Sequence, residues 1–370
     1  GFREVFQEQD RREELKILVV GFMHPKEDKR VSRTVRALSE KHDVTYVYWT
    51  KEKELREKRG RIEYVPAYYP VHSGLRSRLK FERRVTKMIK GIDCDLAYFH
   101  HYQVLDSFGP YRAMKGTPII TDIHEYIPDD YMASVNRVPK QLRMAVGEHI
   151  FRYISKHSDG LICTRELTRE KSGHIWTYLF ENWGNYLIEP LPKEKRKKEI
   201  LLVGATPRNF TREWFLFRKL HQMGFEITMV GSQKKPDGDF IKHEPYIENG
   251  ELLKRISTAA FSFCSFDPHD PKGNVRINYT HSSANKLYDS ICAGTPVIVE
   301  NDFIEMTNKV ELGVGVVIPP YNSYSVYGIL HQWENGYDRL LENIKIHQNE
   351  FAFNDTKKRT FLEFVEEVAR

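Results

Sequence analysis

The chain has 370 residues, 40% of them hydrophobic and 29% charged, with a net charge of +6. That length is too great for one ordinary core and predicts two domains. No apolar run approaches the roughly eighteen residues of a membrane helix, and the charged opening GFREVFQEQDRREEL lacks the apolar segment of a secretory signal. Cys94, Cys163, Cys264 and Cys292 lie in or beside apolar runs and form no CxxC pair. They read as reduced core thiols of a cytoplasmic protein, and no metal site is expected from them.

KILVVG (16–21) is a continuous apolar run of strand length, as in a parallel sheet buried on both faces. A loop, a helix over 31–41 and a strand over 42–49 complete a βαβ unit. In such units ligands bind outside the carboxyl ends of the strands, so the loop 21–30 belongs to a binding crevice. It is neither a GxGxxG turn nor a phosphate-binding P-loop. RIEYVPAYYP (61–70) predicts a short strand and an aromatic loop. RSRLKFERRVTKMIK (76–90) holds seven basic residues and one acid beside a partial stripe of Leu79, Val85, Met88 and Ile89. It reads as a surface helix with a solvated basic face, or as one that rests on an anionic membrane. Nothing resembles a nucleic-acid recognition module.

DCDLAYFHH (93–101) is the next strand, ending in His100 and His101. These are either crevice contacts or merely polar residues at a strand terminus. A helix over 102–115 follows, and then TPIITDIHEYIPDDY (117–131), where Asp122, Ile123, His124 and Glu125 are expected just beyond the end of the strand PIIT. Glu125 is suited to orient the His124 imidazole or to accept a proton. A helix over 138–156, a strand over 158–164, a helix near 165–172 and a last strand within 174–185 close a first domain of residues 1–187. IEPLPKEKRKKE (188–199) has the composition of an exposed linker.

A second αβ array, 200–355, opens on ILLVG (200–204). The loop after it carries Arg208 and Arg212, either of which can fork onto a phosphate. A helix over 211–223, strands at 225–232 and 260–266, and a helix ending near 257 follow, with a long polar loop at 267–282. HSSANKLYDSICAGTPVIV (281–299) organises this half. Ser282 and Ser283 are candidate caps for a helix running to Cys292, and Gly294 and Pro296 end it. First-turn amides, the helix dipole and Lys286 together suit a phosphate. Asp289, one turn on, is either a carboxylate for sugar hydroxyls or the partner of Lys286 in a surface pair on an ordinary βαβ helix. A strand at 314–319, helices near 322–349 and a last helix over 356–369, capped by Asp355 or Thr356, complete the array.

NKLYDSICAGTPVIV resembles the donor segment of glycosyltransferase family 4, whose members have the GT-B fold. The resemblance implies two doubly wound Rossmann-like domains with a cleft between them. It implies an α/β glycosyltransferase, retaining and metal-independent, that moves a sugar from a UDP- or GDP-linked donor to a hydroxyl acceptor. No cofactor is implied. Ser283, Asn285, Lys286 and Asp289 fall in the donor segment, with Asp289 at the ribose. His281 stands where the family usually has a second, sugar-side Glu. One of Arg208 and Arg212 is implied at the diphosphate. His24, Pro25, Asp28 and Arg30 look like a loop of a family subgroup, although the glycine pair of many members is missing. His124 matches the histidine that approaches the donor sugar, with Glu125 beside it as the other catalytic candidate. His24, Arg30 and His100 are the acceptor-side or cleft candidates. The acceptor is expected to be lipid-linked or of the cell envelope, as in polysaccharide or lipopolysaccharide synthesis, with the enzyme peripheral at the inner face of the cell membrane. An inverting transferase, an epimerase or a non-catalytic nucleotide-binding scaffold is the alternative.

Overall fold

The computed structural model describes residues 14–70, 75–101, 108–133, 138–204, 210–232, 234–269, 273–319 and 321–370. The chain divides into two compact units, 1–180 with 358–370, and 181–357.

In chain order the first unit contains β1 (Lys16–Val20), α1 (Lys29–Ser39), β2 (Asp43–Thr50), β3 (Glu57–Arg59), β4 (Ile62–Tyr68), α2 (Leu75–Ile89) and β5 (Leu96–His100). Then come α3 (Phe108–Ala113), β6 (Ile119–Ile123), α4 (Ile127–Asp130), α5 (Lys140–His157), β7 (Gly160–Cys163), α6 (Glu166–Ser172) and β8 (Thr177–Leu179). The sheet order is β3-β4-β2-β1-β5-β6-β7-β8. Only the β3–β4 pair is antiparallel. The strands are apolar runs because helices cover both faces: Ile17 to Val20 and Leu96 to Phe99 are all at most 1% exposed. Strand order reverses between β1 and β5, so the ligand crevice is expected outside their carboxyl ends.

The second unit contains β9 (Lys197–Val203), α7 (Trp214–Gln222), β10 (Glu226–Val230), β11 (Ile241–Glu244), α8 (Asn249–Ser257), β12 (Ala259–Cys264) and α9 (Ile277–Thr280). It continues with α10 (Asn285–Cys292), β13 (Val297–Glu300), α11 (Ile304–Val310), β14 (Gly315–Ile318), α12 (Ser323–His331) and α13 (Tyr337–His347). Its sheet is β11-β10-β9-β12-β13-β14, parallel throughout, with the reversal between β9 and β12. Phe217, Phe225, Phe261 and Tyr337 fill one face of it.

The last helix, α14 (Asp355–Val368), carries Phe361, Phe364 and Val365 as buried residues. Phe361 meets Phe180 and Tyr98 at ring distances of 4.9 and 6.3 Å, within the first unit. Its cap is Asn354, whose Oδ1 accepts from the Lys357 amide at 3.0 Å, rather than Asp355 or Thr356.

Several other expectations are corrected. The strand at 118–121 runs on through Asp122 and Ile123, so Asp122 is a fully buried strand residue and not part of the loop. In α2 the apolar stripe faces the unit's own core: Phe81, Val85 and Ile89 are fully buried. The helix expected over 102–115 is observed only as α3, and 102–107 lie outside the described residues. The segment read as an exposed basic linker pins one of its cations inside the second unit. Arg196 is 7% exposed and donates to the carbonyls of Leu191, Ala259 and Gly294. The strand expected within 174–185 shortens to three residues, Thr177–Leu179.

Candidate active site

In the first unit, the polar residues converge at the carboxyl ends of β1, β5 and β6. Asp28 starts α1, its Oδ1 accepting from the amides of Arg30 and Val31 at 3.0 Å each. Its Oδ2 lies 3.2 Å from His24 Nδ1. Burial alone would raise the Asp28 pKa, but the bond and charge of His24 and the Val31 amide hold it well below the usual range. Arg30 turns inward. It forks onto Asp122 at 2.7 to 3.2 Å and donates to the Phe180 carbonyl at 2.7 Å. Tyr98 donates its hydroxyl to the same carboxylate at 3.1 Å.

His100 is buried behind His124, its Nδ1 lying 3.1 Å from His124 Nε2 and 3.4 Å from Asp122 Oδ2. The His24 and His124 rings are 4.9 Å apart. Burial first, and the charges of His24 and Arg30 after it, push the His100 pKa well down. Burial also pushes that of His124 well down, against the opposing Asp122 charge. Both imidazoles are therefore neutral near pH 7.

His124 is thus held by His100, whereas Glu125 pairs with Arg165 at 2.7 Å. Arg30 and His100 are buried and bond to Asp122 and His124 within the first unit. His100, Asp122 and His124 bring potential metal-ligand atoms within 4.8 Å of one another. Those atoms fit a hydrogen-bonded network better than a cation, because Arg30 already neutralises the only carboxylate and would repel one.

In the second unit α10 begins at Asn285 with Ala284 as its N-cap, and no side chain caps it. The Ser283 hydroxyl shares a 2.6 Å bond with Tyr288, so the expected serine cap is not formed. The C-terminal stop is as read: Gly294 adopts φ +75° and a Cβ there would meet Pro190 Cα at 2.7 Å. Lys286 donates to the Ser265 carbonyl at 2.6 Å and lies 4.1 Å from the Phe266 ring.

Arg212 reaches the same strand end. It donates to the Phe266 carbonyl at 3.3 Å and to buried Glu300 at 2.7 Å. Two cations therefore converge just past β12, beside the reversal of strand order. Tyr321 donates to Glu300 and shares a 3.0 Å bond with Ser265. Glu300 and Tyr321 escaped the sequence reading; a carboxylate ending the apolar run PVIVE was the available signal.

Asp289 is half-buried on α10 and Asn285 is exposed at its start. His281 turns onto its own helical turn, with Nδ1 3.1 Å from Thr280 Oγ1 and 3.3 Å from the Ile277 carbonyl. Asn182 donates to the Ser283 carbonyl at 2.7 Å. Arg208 lies outside the described residues.

Two doubly wound parallel sheets, each with polar side chains gathered at its point of strand-order reversal, define the GT-B class. The Glycosyltransferase Family 4 model matches residues 29–174, within the first unit. The chain is similar in structure to sucrose-phosphate synthase from Thermosynechococcus elongatus, with TM-score 0.68 and 14% identity over 95% of this chain and 98% of that one. It is also similar to Anabaena HepE in complex with UDP and glucose, with TM-score 0.65 and 11% identity over 95% and 100%. For the lipopolysaccharide outer core galactosyltransferase WaaB the values are 0.58 and 12% over 95% and 99%. At these identities the likenesses show the fold. No curated protein matches the chain.

Proposed function

We propose that the enzyme transfers a sugar from a nucleoside-diphosphate donor to a hydroxyl acceptor, with retention and without a metal. The second unit holds the donor and the first serves the acceptor. The observation that carries this reading is the convergence of Lys286 and Arg212 on the carbonyls of Ser265 and Phe266, next to the amino end of α10. Fixed cations and first-turn amides are what a departing diphosphate requires. Asp289 holds the ribose and His124 serves the transferred sugar. The UDP bound by HepE supports UDP over GDP.

Lys286→Ala is expected to weaken UDP binding by about 1.5–3 kcal/mol, the scale of a charge-assisted hydrogen bond. Calorimetry with UDP and GDP measures it, and unchanged affinity for both would remove the phosphate from this helix. Asp289→Asn should weaken UDP much more than its 2′-deoxy analogue. Product stereochemistry separates retention from inversion or epimerisation. Binding without turnover of any donor would favour a nucleotide-binding scaffold, to which the His281 position already points.

A peripheral membrane role for α2, and with it a lipid-linked envelope acceptor, rests on charge alone. Arg76, Lys80, Arg83, Arg84, Lys87 and Lys90 are exposed, while the one acid of the segment, Glu82, is buried. No helix of the described residues is long and apolar enough to cross a membrane. Each basic residue near an anionic surface contributes about 1 kcal/mol, and salt screens it. The protein should sediment with anionic vesicles at low salt and be released at high salt. Retention in the supernatant under both conditions would point to a soluble acceptor.

A further inference from the structure

We propose that the buried pair Asp122–His100 sets the tautomer of His124, so that His124 carries its proton on Nδ1 and acts as a donor. The inference rests on reading His124 as the sugar-facing histidine, but the tautomer is a property of the protein alone.

The argument is one of counting protons. Asp122 is ion-paired with Arg30 at 2.7 Å and can only accept hydrogen bonds. His100 Nδ1 faces that carboxylate at 3.4 Å and His124 Nε2 at 3.1 Å. A bare Nδ1 would set its lone pair against a carboxylate, so the proton sits there. The alternative would place the His100 proton on Nε2, a buried atom with no acceptor among the described residues.

One proton serves the 3.1 Å bond between the two rings, and His100 supplies it. His124 Nε2 is then the acceptor, and the proton of the neutral His124 ring is left on Nδ1. The His124 side chain is 20% exposed, and Nδ1 makes no bond among the described residues. Its backbone is fixed by Thr164, which donates to the His124 carbonyl at 2.8 Å. His124 thus offers a ligand an N–H and no lone pair: it can bond a sugar oxygen, but it cannot take a hydroxyl proton through that nitrogen. His100 is a positioning residue.

Free imidazole side chains favour the proton on Nε2, so the proposed state is the opposite of the default and has a distinct nitrogen signature. The test is long-range proton–nitrogen correlation on the full chain with labelled histidine at pH 8. His124→Gln identifies the His124 signals. Wild type should show a protonated Nδ1 and a bare Nε2. His100→Phe should move the proton to Nε2 and lower kcat at least tenfold with donor KM within twofold. His100→Asn, whose amide N–H replaces the lost donor, should restore both. A wild-type His124 protonated on Nε2 overturns the proposal, as does a tautomer unchanged in His100→Phe. If His100→Phe does not fold, the wild-type spectrum decides. If the tautomer behaves as stated while kcat is unmoved, the relay stands and the sugar-facing role of His124 falls.

Discussion

Arg30→Met should destabilise the first unit by about 3–5 kcal/mol, the cost of leaving a buried charge without its partner. Asp122 has no exposed surface, and Arg30 gives it two forked bonds and, among the described residues, its only permanently charged partner. With methionine at position 30, the Tyr98 hydroxyl at 3.1 Å and the His100 N–H would face the carboxylate alone. The Phe180 carbonyl would lose its 2.7 Å donor as well. Adding Asp122→Leu should recover most of the loss, because an ion pair replaced by packed apolar groups is often neutral. Urea unfolding of the two variants measures this, and only the transition of the first unit should move. A loss below about 1 kcal/mol for the single variant would mean that Asp122 takes up a proton or rehydrates at little cost.

Acid should weaken the same unit at a higher pH than carboxylate titration would. Burial pushes the His101 pKa down to about 4, with the His24 charge adding to it. Burial also lowers His42, against Glu366, and pushes His100 and His124 well down. An unfolded histidine takes its proton near 6.5, whereas these folded ones refuse it. The stabilisation is therefore complete above about pH 6.5 and is lost as the pH falls towards the folded values. Each such histidine removes about 1.4 kcal/mol per pH unit across its own window, so His101 alone accounts for on the order of 3 kcal/mol by pH 4. Urea midpoints at pH 7.5, 6 and 5 should fall steadily, and His101→Leu should flatten the profile. A midpoint constant from pH 7.5 to 5 would show that these rings take up protons as readily in the folded state as in the unfolded one.

The apolar strands were legible because burial on both faces writes itself as runs such as KILVV and AAFSFC. β3, with the sequence EKR, has no such run and was missed: it is an exposed edge held by backbone bonds to β4. Motif reading placed polar residues at the strand ends but misjudged their depth. Arg30, His100 and Asp122 are polar residues at strand and helix ends, which from sequence look like ligand contacts. They satisfy one another instead, and pairing across 92 residues, as between Arg30 and Asp122, leaves no local pattern. Ser283 has the composition of a cap, yet a tertiary bond to Tyr288 takes its hydroxyl. The basic segment 76–90 showed its charge and its stripe, but which of the two faces solvent is settled only by what covers the helix.

Lys286 and Arg212 are occupied before any donor arrives. Their nitrogens already donate to the Ser265 and Phe266 carbonyls and to Glu300. An anion that takes over one of these donors gives up a bond already made, so its gain there is a difference between two good bonds. A lone phosphate offers too few contacts to win that exchange by much. A ligand that engages both cations, the α10 amides and Asp289 together covers the cost of displacement across several bonds. A donor site of the kind proposed would discriminate by the reach of its ligand as well as by charge, and inorganic phosphate should compete poorly even in excess.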